Sequence, residues 1–145
     1  MVISFDLDDT LIPGTRSFKT EDRNLFQRFA GIEEIRKGTI GLFKDLRSRG
    51  HSVYIYTTSF RSSFKLQLTF YSYGIPVDKV INQQLHDLIL RENKNRSSKY
   101  PPAFGIDLHI DDSPGLQIEG HRYNFRTIII GENDPGWTIT ILRDL

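Results

Sequence analysis

Cysteine is absent from the 145 residues. That excludes disulfides, thiolate metal sites and a cysteine nucleophile, and it fits a reducing compartment, with the cytoplasm as the expected location. A dominant charge is also lacking, since 19 basic residues stand against 18 acidic ones for a formal net charge of +1. No overall field therefore favours nucleic acid or an acidic membrane. No apolar run approaches membrane-spanning length, and the first residues have neither the basic nor the apolar region of a signal peptide, so no membrane partner is expected. Glycine-rich phosphate loops and dinucleotide fingerprints are missing, which leaves ATP or NAD chemistry without support. The histidines His51, His86, His109 and His121 are scattered without metal-ligand spacing, and His109 reads as a residue packed within a strand. There is no internal repeat, and the length suits one domain over 1–145.

What is present begins at once. Val2-Ile3-Ser4-Phe5-Asp6-Leu7-Asp8-Asp9-Thr10-Leu11-Ile12 is a β-branched and aromatic run that ends in carboxylates. It reads as the central strand of a parallel sheet, with its acids at the carboxyl end where open α/β sheets place ligands. Asp6 and Asp8, two apart, share a face of an extended strand and converge on one ion if the chain bends. Three acids in four residues repel one another unless a cation joins them. Read alone, Asp8-Asp9-Thr10 serves equally well as a turn and helix cap.

Farther along, Arg16 to Glu21 reads as an exposed loop or flap beside the carboxylates. Leu25, Phe26 and Phe29 have helical spacing within 22–29. Thr39 can cap a helix striped by Ile40, Leu42, Phe43 and Leu46 and closed at Gly50. Residues 52–59 form a second strand tipped by Thr57, Thr58 and Ser59. A right-handed crossover brings Thr57 or Thr58 near Asp6, where a hydroxyl can bond a phosphate oxygen, although Thr58 or Ser59 can equally cap the next helix, striped by Phe64, Leu68 and Tyr71. A third strand is expected over 77–81, a helix through about Arg91, and then a basic loop with Arg91, Lys94, Arg96 and Lys99. Residues 107–115 repeat the opening pattern, an apolar strand emerging into Asp111 and Asp112. Arg126 to Ile130 is a last strand and Trp137 to Leu145 a terminal helix.

The string FDLDDTLI resembles the first signature of the haloacid dehalogenase (HAD) superfamily, and the later signatures follow in order: a strand ending in Thr57, with Thr58 as the register alternative, a basic residue at Lys99 with Lys94 as its alternative, and the Asp111-Asp112 pair. The resemblance implies a three-layer α/β fold with a central, mainly parallel five-stranded sheet, the first strand in the middle and no large cap domain. It implies that Asp6 is a nucleophile toward phosphorus and Asp8 a general acid and base, and that magnesium sits on Asp6, the Asp8 carbonyl, Asp112 and Asp111. Asp112 is favoured as the direct ligand, with Asp111 a second ligand or the anchor of the lysine. Thr57 or Thr58 and Lys99 would hold the substrate phosphate, while Asp9 and Thr10 would fix the loop. The expected activity is phosphomonoester hydrolysis through an aspartyl-phosphate. A substrate of this minimal type is a phosphoprotein, a nucleic acid end or a small phosphoester. The alternative is a binding or regulatory protein with weak or no turnover, and phosphoryl transfer to an acceptor other than water is a third possibility. Oligomeric state cannot be read from the chain.

Overall fold

The computed structural model describes residues 1–91 and 97–145. Five strands, β1 (Val2–Phe5), β2 (Ser52–Tyr56), β3 (Lys79–Ile81), β4 (Leu108–Asp111) and β5 (Thr127–Ile129), form one sheet in the order β3-β2-β1-β4-β5. Every pairing is parallel, with Ser4 opposite Tyr54 on one side and His109 on the other. The helices are α1 (Leu25–Phe29), α2 (Thr39–Ser48), α3 (Ser63–Ser72), α4 (Gln83–Leu90), α5 (Pro114–Tyr123) and α6 (Trp137–Arg143), and they cover both faces. The expected fold class is therefore present, with the sheet wholly parallel. The described segments between the strands hold the flap and α1 to α5, α6 follows β5, and none of them holds a cap domain. No helix among the described residues is long and apolar enough to cross a membrane.

Side-chain alternation decides what each face of β1 does. Ile3 and Phe5 point to an apolar layer, where the Phe5 ring lies 4.9 Å from Phe43 of α2, which lies 5.8 Å from Phe70 of α3. Ser4 points to the opposite face, and Asp6 continues that face just past the strand end. The register places His109 beside Ser4, so His109 and Asp111 occupy this same polar side. The chain leaves β1 toward β2 and β3, then returns to the other flank of β1 as β4. That reversal of direction is the switch point at which doubly wound sheets open a crevice beyond their strand ends.

Several local expectations are corrected. Thr39 is the first helical residue of α2, not its cap. Gly38, in the left-handed region at φ 97°, holds the cap position, and the Glu21 carboxylate accepts from the amides of Gly38 at 2.9 Å and Ile40 at 3.4 Å. A carboxylate at a helix N-terminus satisfies orphan donors and complements the dipole. In α3 the cap is Ser62, which accepts from the Lys65 amide, in place of Thr58 or Ser59. The buried face of α3 is Leu66, Thr69 and Phe70, whereas Phe64, Leu68 and Tyr71 face outward. Helical spacing permits both stripes, and the depth of the sheet contact selects the one centred on Phe70. Leu25, Phe26 and Phe29 of α1 are also exposed, and that helix is anchored by its polar residue, Gln27.

Candidate active site

Asp6 and Asp8 follow β1, Thr57 and Thr58 follow β2, and Asp111 ends β4 with Asp112 next to it, so all six gather at the carboxyl edge of the sheet. Lys99 reaches the same place from the segment before β4. Its ammonium lies 2.5 Å from Asp6 Oδ1 and 2.7 Å from Asp111 Oδ2, with all three side chains nearly out of solvent. Lys94 and Arg96 lie outside the described residues.

Burial pushes the Asp6 carboxyl up to about 6 against the pull of the Lys99 charge, and the anion of Asp111 adds to the rise. Burial also works against the Lys99 cation, but the two carboxylates outweigh it and hold the ammonium above its ordinary value. For Asp111, burial is overcome by the hydrogen bond from His109 and the Lys99 charge, which hold the carboxyl well below the usual range. The buried lysine is thus a cation fixed between two acids of unequal basicity.

Behind this cluster runs a buried polar chain. His109 Nε2 lies 3.1 Å from Asp111 Oδ2, and Nδ1 lies 2.7 Å from Ser4 Oγ. Burial pushes the His109 imidazole down to about 4, with Lys99 acting the same way. The ring is therefore neutral at pH 7, and the tautomer that satisfies both neighbours donates from Nε2 to Asp111 and accepts from Ser4 at Nδ1. Asp111 Oδ1 takes the Ser113 amide at 2.8 Å. Both oxygens of Asp111 are engaged, which leaves Asp112 the more open of the adjacent pair.

Asp112 is tied more loosely, with Oδ1 at 3.3 Å from the Thr10 hydroxyl and Oδ2 at 3.4 Å from Arg16 of the flap. Burial and the neighbouring Asp111 raise its carboxyl, with Arg16 opposing. Thr10 also lies 3.4 Å from Asp6 Oδ2. Asp9 is the hub of its loop: at φ 63°, its carboxylate accepts from the Gly14 and Arg16 amides and the Thr15 hydroxyl. The flap is held farther out by Arg36, whose guanidinium lies between the Phe18 and Trp137 rings and donates to the Gly131 carbonyl at 2.7 Å.

The two threonines separate. Thr57 is buried, and its hydroxyl accepts from the Ser59 amide at 3.0 Å. Thr58 is exposed and lines a cleft of about 260 Å³ together with Asp6, Asp8, Ser98, Lys99 and Asp112.

Sequence reasoning missed Arg61. Its Nη1 lies 3.0 Å from both carboxylate oxygens of Asp8, and its Nη2 lies 2.9 Å from Glu33. The cation fixes the side chain of Asp8 from the loop that follows β2. The only signal for it in the sequence was its place just beyond the Thr57-Thr58-Ser59 tip.

One carboxylate oxygen from each of Asp6, Asp111 and Asp112 lies within 4.8 Å of the others. Such a set of hard oxygen donors, partly buried and adjacent to a fixed lysine, fits a small divalent cation.

No protein-family model matches the chain, and no curated protein sequence does. Among solved structures, a predicted HAD-like family hydrolase from Porphyromonas gingivalis matches over 99% of this chain and 98% of its own, with a TM-score of 0.53 and 19% identity. That likeness, over nearly the full length of both chains, shows that this protein has the HAD-like α/β fold.

Proposed function

We propose that the protein is a magnesium-dependent phosphomonoester hydrolase in which Asp6 is the nucleophile. The observation that carries the reading is the buried Lys99 held between Asp6 and Asp111 at the mouth of the sheet, with Asp112 beside them. A structural ion pair needs one carboxylate for one lysine. Lys99 lies between two acids, and the third, Asp112, has only the looser Arg16 at 3.4 Å, so the cluster keeps negative charge that a metal ion can neutralise.

Asp6, Asp112 and the Asp8 carbonyl would hold the magnesium, with Asp111 beside them; when bound, it neutralises the carboxylates and the phosphate oxygens. An Asp6 oxygen attacks phosphorus, forming the O–P bond of an aspartyl-phosphate as the bond to the leaving alkoxide breaks. Asp8 gives that alkoxide its proton. Asp8 then removes a proton from water as the water oxygen attacks the same phosphorus, releasing phosphate and restoring Asp6. Arg61 keeps the Asp8 carboxyl aimed at the cleft, and Lys99, with Thr58 or Thr57, binds the phosphate oxygens. The open cleft, with only a flap beside it among the described residues, suits a phosphate carried on a larger body such as a phosphoprotein or a nucleic acid end, as well as a small phosphoester.

The test is phosphate release from phosphorylated small molecules, phosphopeptides and oligonucleotide ends, with magnesium and with chelator, beside Asp6→Asn. Magnesium-dependent release that the variant lacks is the expected result. A folded protein that binds magnesium but releases nothing from any of these would move the assignment to a binding or regulatory role.

A further inference from the structure

We infer that Tyr56, oriented by His86, is the positioning residue that holds Lys99 between Asp6 and Asp111. Residues 97–100 belong to no helix or strand, so no backbone ladder fixes where the buried ammonium goes. The chain is tied on both sides of Lys99 instead. Before it, the amide and hydroxyl of Ser98 donate to the Glu119 carboxylate of α5 at 3.1 and 2.8 Å, in an exposed contact. After it, the Tyr100 amide donates to the Tyr56 hydroxyl at 2.9 Å. That amide belongs to the peptide unit that Lys99 shares with Tyr100, and Tyr56 is fully buried. Water competes with the first tie and much less with the second, which is therefore the firmer.

The sheet register brings Tyr56 to this place. Ser4 pairs with Tyr54, and strand alternation then sets Tyr56 on the polar face with Asp6, His109 and Asp111. Its ring lies 5.6 Å from the His109 ring and 6.0 Å from the Lys99 ammonium, at the limit of cation–π attraction. A phenylalanine would fill the same space, so the buried hydroxyl has a polar task. Its oxygen takes the Tyr100 proton, and its own proton needs an acceptor, because an unpaired buried donor is costly. Nδ1 of His86, on α4 and itself buried, lies 2.7 Å away and supplies one. His86 thus turns the hydroxyl so that a lone pair faces the Tyr100 amide. If that amide is released, the Lys99 peptide is free to shift, and the ammonium with it. On the phosphatase reading, which this consequence rests on, the shift weakens the grip on the phosphate oxygens.

Tyr56→Phe keeps the ring and removes the tie. In proton–nitrogen magnetic resonance spectra the buried Lys99 ammonium, assigned by its absence from Lys99→Arg, should exchange slowly with water in the wild type. Tyr56→Phe should speed that exchange at least about tenfold. In phosphate release, KM and the inhibition constant of inorganic phosphate should rise together by about threefold to tenfold, the worth of one hydrogen bond, with kcat changed less. His86→Leu should give part of both effects. His86→Asn, whose side-chain oxygen can accept the phenol proton, should restore wild-type values, which a loss of packing alone would not predict. Unchanged ammonium exchange in Tyr56→Phe overturns the inference, as does a wild type whose Lys99 exchanges rapidly. Faster exchange with unchanged KM keeps Tyr56 as the holder of Lys99 and overturns the consequence for phosphate. A wild type that releases no phosphate overturns the proposed function instead, and the ammonium exchange then decides the role of Tyr56 by itself.

Discussion

The Lys99 ammonium lies 2.5 Å from Asp6 Oδ1 at a point where both side chains are almost fully buried. Removing the cation leaves two carboxylates facing one another without water. Lys99→Met should therefore destabilise the protein by about 3–5 kcal/mol at pH 7, the usual cost of breaking a buried pair from one side. Urea unfolding followed by circular dichroism measures it. A loss under about 1 kcal/mol would mean that the lysine is not the keystone of the cluster.

Asp6→Asn should have the opposite effect on stability. A carboxyl raised to about 6 from 3.8 binds more protons folded than unfolded, so its contribution is favourable at low pH and is lost as pH rises through that window. At pH 7 the neutral isostere should be as stable as the wild type or more stable by about 1–3 kcal/mol, while phosphate release disappears. Stability and turnover measured on the same preparation separate the two effects.

His109 works against Asp6 in nearly the same range. Its imidazole titrates at about 4 when folded and near 6.5 when free, so the stability it supports is lost as pH falls from 6.5 toward 4. In the wild type the opposing slopes partly cancel. In Asp6→Asn the opposing slope of Asp6 is gone while that of His109 remains, and the urea midpoint should fall between pH 6.5 and 4.5 more steeply than in the wild type. Below about pH 4 both proteins should lose stability further, as Asp111, held low in the fold, takes up its proton.

Magnesium should raise the melting temperature by mass action, with about 2.7 kcal/mol of added stability at a hundredfold excess over the dissociation constant. Asp112→Asn should abolish most of that gain. A thermal shift titration against chelator would show it, and an Asp112→Asn protein with an undiminished shift would place the metal elsewhere.

Arg61→Ala should release the Asp8 carboxylate from its only close cation among the described residues. Loss of a well-placed general acid lowers the rate by about 10²- to 10⁴-fold, and loss of its positioning residue should cost less, about tenfold in kcat with little change in KM. Arg61→Lys should recover part of that loss, because one donor can still reach Asp8. Equal activity in all three proteins would show that Asp8 orients itself.

How much of this could be read in advance follows from the range of each interaction. The strands and the meeting of Asp6 with the tip of β2 were legible from local alternation and from the handedness of crossovers, whereas the five-stranded sheet with β1 central and the pairing of Asp6 with Asp111 and Asp112 were implied by the resemblance, which favoured Thr57 where the structure lines the cleft with Thr58. Ser4 with Asp6 and His109 with Asp111 share a face because strands repeat every two residues. Lys99 could be named by position, but its contact with two carboxylates depends on a loop path that no periodicity encodes. The same holds for Arg61 on Asp8, Arg16 on Asp112 and Glu21 at the start of α2, each a charged group whose partner is far away in sequence. The outward turn of Phe64, Leu68 and Tyr71 was decided only by tertiary packing. Two apolar stripes compete on α3, and the one whose rings fill the layer against Phe5 and Phe43 is the one that is buried.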